Sequence, residues 1–352
     1  MGGFISSKAV TKMQMIIIVA IIIVVVGTLY SYFALMPAPS PAPPPTPVTI
    51  KAGYVVPAEN IISLFEIPFF QENVLENYGK KYTVDLLRLR STPDIVAALS
   101  AGELHVGHLA LISFASAVVR DVVPSGLIII AGDAFDAYPG YYSFTCLTMA
   151  DSPINTAKDL AGKKIGINAL GTAVHFAAAA VLKANGLDPK KDVIFVEVGP
   201  FPALAPALKE KKIDAGIFPP AYYWPIIGEG IYKKVFNSTE GFAYPYANLF
   251  LCAKGDFLAA NKDAIRAFLA DYKKLMNYIY SPENREKVID IVSKHFGLSK
   301  DALAAYWLTE KDFYRTAEID VVGLQYGILK LYELGFIDKA FDVSRYIFTE
   351  GT

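Results

Sequence analysis

The sequence predicts a two-lobed α/β protein carried behind one membrane helix, and three observations predict it. From Met13 to Met36 there is no charged residue. From Val48 onward, short β-rich runs alternate with helical stretches, once to about Ala131 and again from Asp151 to Phe218, the pattern of mostly parallel sheets covered by helices. Two more strands, Phe144 to Met149 and Tyr246 to Ala253, fall where the chain leaves the first lobe and returns to it, which defines a hinge.

Composition narrows the function before any motif is read. The chain has 352 residues, enough for two domains with a sizeable core. Its 33 basic and 34 acidic residues leave no electrostatic footprint for nucleic acid, which needs clustered Lys and Arg. With only Cys146 and Cys252, neither a disulfide-dense scaffold nor a Cys-rich zinc site is possible.

Taken in order, residues 1–12 carry Lys8 and Lys12 and no acid, and the run 13–36 is long enough to cross a bilayer as one helix. Basic residues before it and Tyr30 and Tyr32 near its far end place the N-terminus in the cytoplasm and the rest outside. No small-residue cleavage site follows the apolar core, so the segment reads as an uncleaved anchor. The SSKAV prefix is also similar to a pilin-type leader, cut near Ala9, which would spare the helix. Met1-Gly2 with Ser6 fits a myristoylation pattern too short to weigh against it. Residues 37–47, PAPSPAPPPTP, predict an extended polyproline stalk, about 3.1 Å per residue.

The first lobe is expected over 48–145 and 250–352, the second over 146–249. VTIKAGYVV is a strand ending at Pro57; a helical stretch from Ile61 is interrupted at Pro68 and stops at Gly79; Thr83 to Leu89 is a strand. Thr92-Pro93-Asp94 opens a helix closed by Gly102, and strand, helix and strand follow to Ala131. In the second lobe, Lys164 to Asn168 is a strand, Thr172 a candidate N-cap for an alanine-rich helix, and Gly171 leaves no side chain between that helix end and a guest. Pro202 and Pro206 predict a short or broken helix before the strand Ile213 to Phe218. From Asp256 the pattern is helical, ending with Gly335 as a C′ residue, and presents no catalytic cluster. Asn237-Ser238-Thr239 is a glycosylation sequon, in keeping with export.

The phrase DSPINTAKDLAGKKIGI, Gly171-Thr172, VLKANGLDPKKDVIFVEVGP, ALKEKKIDAGIF, ALSAGELHVGHLA and the closing LYELGFID resemble the solute-binding proteins of ATP-driven (ABC) importers in the nitrate, sulfonate and taurine group, whose relatives bind thiamine-precursor pyrimidines. The resemblance covers about residues 48–345. It implies a type II periplasmic-binding-protein fold with an interlobe cleft, a small-molecule solute, an ABC permease and its ATPase as partners, a monomer, and no cofactor. Carried over position by position, it implies a ligand site made of Pro57, Glu59, Asn60, Ser91, Thr92, His108 and Leu109 from the first lobe. From the second come Leu170, Gly171, Thr172, His175, Phe201, Pro219 and Tyr222. The aromatic stretch before the hinge adds Tyr138. The expected solute is a small anion or heteroaromatic: a sulfonate, taurine, nitrate, bicarbonate or a pyrimidine precursor. No Lys or Arg matches a cleft position except Arg90, so a bare anion would rely on helix ends and neutral donors.

Four sharper readings stand beside this one. His105, His108 and His175 do not share a helical face, so no metal site is expected. No Gly-x-Ser-x-Gly, His-Glu-x-x-His or phosphate loop occurs, so an enzyme is not expected; the alternative is an exported or anchored enzyme of the same fold acting on a pyrimidine or aromatic acid. Tyr222, Tyr223 and Trp224 are either ligand walls or ordinary packing. Cys146 and Cys252, on the two crossover strands, are either bridged beside the hinge or two buried thiols.

Overall fold

The computed structural model describes residues 11–35 and 46–349. The segment before Thr11, with the leader cut and Gly2, and most of the proline stalk lie outside the described residues. The chain forms two separate compact units, one holding the apolar helix and one beginning at Thr46. Helix α1 (Lys12–Leu35) buries none of its side chains, and it is the one helix among the described residues long and apolar enough to span a membrane.

The second unit is built on two five-stranded sheets of the same design. Strands β1 (Val48–Tyr54), β2 (Tyr82–Arg88), β3 (Val106–Ala110) and β4 (Leu127–Asp136) belong to the first lobe, with helices α2 (Pro68–Asn73), α3 (Thr92–Ser100) and α4 (Leu111–Arg120) between them. The second lobe holds β5 (Thr145–Met149), β6 (Lys164–Ile167), α5 (Ala173–Ala184), β7 (Ile194–Glu197), α6 (Leu204–Lys209), β8 (Ala215–Phe218), α7 (Pro220–Ile227) and β9 (Tyr232–Asn237). β10 (Tyr246–Lys254) returns to the first lobe, and α8 (Gly255–Ala260), α9 (Lys262–Tyr280), α10 (Arg285–Phe296), α11 (Lys300–Tyr306) and α12 (Val321–Glu333) follow.

The sheet orders are β2-β1-β3-β10-β4 and β7-β6-β8-β5-β9. In each, three parallel strands are followed by the crossover strand running antiparallel, β10 in the first sheet and β5 in the second. Each sheet also carries one registered pair of glycines, Gly53 opposite Gly107 and Gly166 opposite Gly216. A Cβ on Gly107 would stand 2.7 Å from Ile95 and 2.8 Å from Leu99, and one on Gly53 2.6 Å from Leu104, so bare backbone lets α3 settle on the sheet. Leu204 occupies the matching place over Gly166 and Gly216.

The expected break at Pro68 divides the stretch from Ile61 into a 3-10 turn (Ile61–Glu66) and a short α2 that ends at Asn73, well before Gly79, because Pro68 cannot donate into a continuing helix and instead starts the next one. The residues from Phe201 are broken as expected, into a 3-10 turn and α6. Other local expectations change. Cys146 and Cys252 are free and buried, on β5 and β10 of different sheets, so the structure takes the alternative of two buried thiols. Thr172 is the N-cap residue of α5, but its hydroxyl turns back to Ala169 O (2.7 Å) and Asn168 Oδ1 (3.0 Å) instead of capping.

The chain crosses between lobes twice, and Asp136 ties both crossings. Its carboxylate accepts from Phe144 N (3.2 Å) on the outgoing segment, Ser238 Oγ (2.7 Å) in the second lobe and Tyr246 Oη (3.1 Å) on the returning strand. Burial pushes its pKa up, and these donors pull against that. The largest apolar cluster runs through both lobes, joining Phe114 and Phe250 to Phe144, Phe176 and Phe242.

Candidate functional site

The carboxyl ends of the parallel strands meet between the lobes, where open α/β sheets place their ligands. A chamber of about 50 Å³ lies there, room for a few water-sized groups. The loop after β1 supplies Val56, Glu59 and Asn60; α3 and β3 supply Thr92 and His108; the second lobe supplies Asn168, Thr172, Phe201 and Pro219; Phe144, Leu249 and Phe313 close the hinge side. Outside it a vestibule of about 700 Å³ opens between Arg88, Arg90 and Asp94 on one side and Phe201 and Tyr222 on the other. The vestibule is the larger space, yet the buried polar groups converge on the chamber, which is therefore the candidate site.

The loop after β1 is held stiffly. Asn60 Oδ1 accepts from Val55 N and Val56 N, both at 2.8 Å, and Ser63 Oγ accepts from Ala58 N at 3.0 Å. Ala58 has φ +67°, a left-handed conformation uncommon for a residue with a Cβ, which persists because these bonds over-determine the turn. The turn puts Glu59, 4% exposed, across the cleft, where its Oε1 accepts from Ala221 N at 2.8 Å. Ala221 lies in the first turn of α7, so a lobe 1 carboxyl sits on a lobe 2 helix end. Burial, with Asp312 second, raises the Glu59 pKa to about 8 against the opposing pull of Arg315.

Beneath the chamber lies a buried ionic chain. His108 Nε2 is 2.6 Å from Asp133 Oδ2, while Nδ1 is buried without a partner among the described residues. Asp133 also accepts from Arg315 Nη1 (2.8 Å) and Ile61 N (3.3 Å). Arg315 reaches Asp312 at 3.2 Å and the Glu59 carbonyl at 2.6 Å. Burial alone would raise the Asp133 pKa, but His108 and Arg315 hold it below the usual carboxylate range.

Four helices begin at the cleft: α3, α4, α5 and α7. Only α3 has a side-chain cap, Ser91 Oγ accepting from Asp94 N at 3.3 Å. The others start at Ala110, Thr172 and Pro219 with none, so their first turns point N–H groups toward the lobe boundary. Direct lobe-to-lobe bonds frame the site: Ser113 Oγ to Gly171 O (2.8 Å), Tyr142 Oη to Phe218 O (2.8 Å) and Trp224 Nε1 to Lys311 O (2.8 Å). Among the described residues no three His, Cys, Asp or Glu gather as a metal site would require.

Of the residues expected at the site, the structure gathers Glu59, Asn60, Thr92, His108, Thr172, Phe201 and Pro219 around the chamber. Tyr222 faces the vestibule, stacked on Phe201 at 5.4 Å, while Tyr223 and Trp224 pack against Tyr142. The rest stand elsewhere. Pro57 accepts from Glu59 N in the turn, Ser91 caps α3, and Leu109 is buried in the sheet beside Phe250. Tyr138 stacks on Tyr314 at 3.9 Å, Leu170 is half exposed, and Gly171 lies with Leu170 on an outer groove. His175 Nδ1 accepts from Gly171 N at 3.1 Å and its ring lies against Phe195 and Phe336; burial lowers its pKa to about 4. Sequence reading missed Asn168, the residue just past β6, and all of Asp312, Phe313 and Arg315, which come from a stretch expected to be helical and chemically silent. No local pattern marks them, since a loop brings them back beneath β3 and β4.

Residues 142–285 match the protein family described as NMT1/THI5 like. The solved alkanesulfonate-binding protein SsuA of Xanthomonas axonopodis pv. citri, bound to MOPS, aligns with a TM-score of 0.71 at 17% identity, over 86% of this chain and 99% of that one. The periplasmic aliphatic sulphonate-binding protein SsuA of Escherichia coli gives 0.66 at 19%, over 86% and 98%. The periplasmic nitrate-binding protein NrtA of Synechocystis PCC 6803 gives 0.65 at 14%, over 86% of both chains. No curated protein matches by sequence. The fold is thus that of the two-lobed, type II periplasmic binding proteins.

Proposed function

We propose that the chain is an extracytoplasmic receptor for a small solute, working with an ABC permease and its ATPase. In this reading α1 anchors it in the cell membrane with the lobes, 48–145 with 250–352 and 146–249, outside. The carrying observation is the chamber itself: buried polar side chains and uncapped helix ends from both lobes converge on one small space at the strand ends of a binding-protein fold. The likeness to sulfonate- and nitrate-binding proteins supports a small anion such as a sulfonate, taurine, nitrate or bicarbonate; the match to NMT1/THI5 like supports a pyrimidine precursor.

A solute that touches both lobes adds contacts present only when they are together, and so shifts the open and closed populations that a permease reads. Thermal melting of the full chain in detergent, screened against nitrate, bicarbonate, taurine, alkyl sulfonates and pyrimidines, tests this. A true solute at 100 times its dissociation constant adds about 2.7 kcal/mol. If none of these classes raises the melting temperature in a concentration-dependent way, the receptor reading fails.

A further inference from the structure

We propose that Glu59 is a tethered carboxyl that closes the cleft by taking the α7 helix end, the place a solute's anionic group would otherwise occupy. Three observations carry it. The Glu59 Oε1 to Ala221 N bond joins the lobes directly, and it is made at the first turn of a helix whose N-cap, Pro219, offers no side-chain acceptor. The turn that aims Glu59 is fixed on both sides, by Ser63 behind the strained Ala58 and by Arg315 Nη1 on the Glu59 carbonyl. α7 meets lobe 1 again through Trp224 Nε1 on Lys311 O, so whatever holds its first turn sets how the second lobe docks.

From lobe 1, Tyr306 on α11 hydrogen-bonds the Glu59 carboxyl, Arg315 attracts it while engaged with two aspartates, and Asp312 repels it; Tyr142 and Tyr222 face it uncharged. The helix end is the attractive partner left for the carboxyl on the lobe 2 side. A second consequence is selectivity: with the α7 end filled from within, a solute must find its helix-end N–H groups at α4 and α5.

The inference deepens the receptor reading and rests on it for the meaning of closure, but its substitution and hydrogen-exchange arms contain no added anion, so the two can fail separately. Spin labels at Lys81→Cys and Lys158→Cys, both exposed and one on each lobe, report the interlobe distance in the full chain in detergent micelles; Cys146 and Cys252 are buried away from the reagent. Glu59→Ala should lengthen that distance, free formate or acetate should restore it, and chloride at equal ionic strength should not. Glu59→Gln, whose Oε1 still accepts from Ala221, should keep the short distance. An unchanged distance in Glu59→Ala, or a lengthened one indifferent to formate, overturns the proposal. So does free hydrogen exchange at the Ala221 amide of the unaltered chain, a readout that holds even where the alanine variant does not fold.

Discussion

At the scale of single residues, the buried ionic chain sets the chemistry. Arg315 balances Asp133 and Asp312 with no exposure of its side chain. Arg315→Met should therefore cost about 3–5 kcal/mol in denaturant unfolding, because it leaves buried Asp312 without its counter-charge and Asp133 with His108 alone. Arg315→Lys, with a point charge in place of the fork, should recover only part of this. Glu59 makes a pH prediction. Its pKa is raised from 4.5 to about 8, so the folded state favours the protonated form. That contribution is complete below about pH 4.5 and is lost as pH rises through 8. Melting temperature should fall over that window, and Glu59→Gln should flatten the slope; an equally steep slope in the variant would remove Glu59 as its source. Asp133 runs the other way, its stabilisation fading only as pH falls through its lowered pKa.

At the scale of elements, close backbone approach decides what can change. A Cβ on Gly132 would run into the Thr316 and Glu318 carbonyls, and one on Gly241 would stand 2.6 Å from Val181 N of α5. Gly241→Ala should push α5 away from its seat and lower stability by about 1–3 kcal/mol in chemical denaturation; a neutral effect would show that the 3-10 turn Ser238–Glu240, which Gly241 closes, can yield. Much of this level was legible in the sequence. The strand and helix order, the stops at Gly102 and Gly335 and the broken stretch at Pro202 and Pro206 follow from turn chemistry and apolar period. The site was legible where strand ends supply it, at Glu59, Asn60, His108 and Thr172, because parallel sheets expose those positions. It was illegible at Phe313 and Arg315, which gain their meaning through contacts with β3, β4 and the Glu59 turn, and at Thr172 Oγ1, whose bond to Ala169 depends on a local rotation that no spacing encodes.

At the scale of the whole molecule, the two lobes share one apolar cluster and several direct bonds, so their separation should be costly unless something replaces those contacts. Both cysteines sit inside, with burial holding their thiol pKa values well up. Neither should react with a thiol reagent in the native chain, and both should titrate once it is unfolded; a single reactive thiol before unfolding would show one lobe opening alone. The repeated strand order, with paired glycines at equivalent places in each sheet, further means that the cleft is lined by equivalent ends of two similar halves.

The pairing of β4 with β10 has one more consequence. Tyr246 stands opposite Asp136 in the ladder, so the whole second lobe is an excursion that leaves and re-enters a single sheet at neighbouring positions. In covalent terms it is an insert: a two-residue turn from Asp136 to Tyr246 would convert the junction into a plain hairpin and leave the first sheet's order untouched. In energetic terms it is not, since removing it bares Tyr246 and Phe336, which now pack on Phe176 of the second lobe. A transplanted lobe from another protein would need to match that apolar face before it needed to match the chain ends.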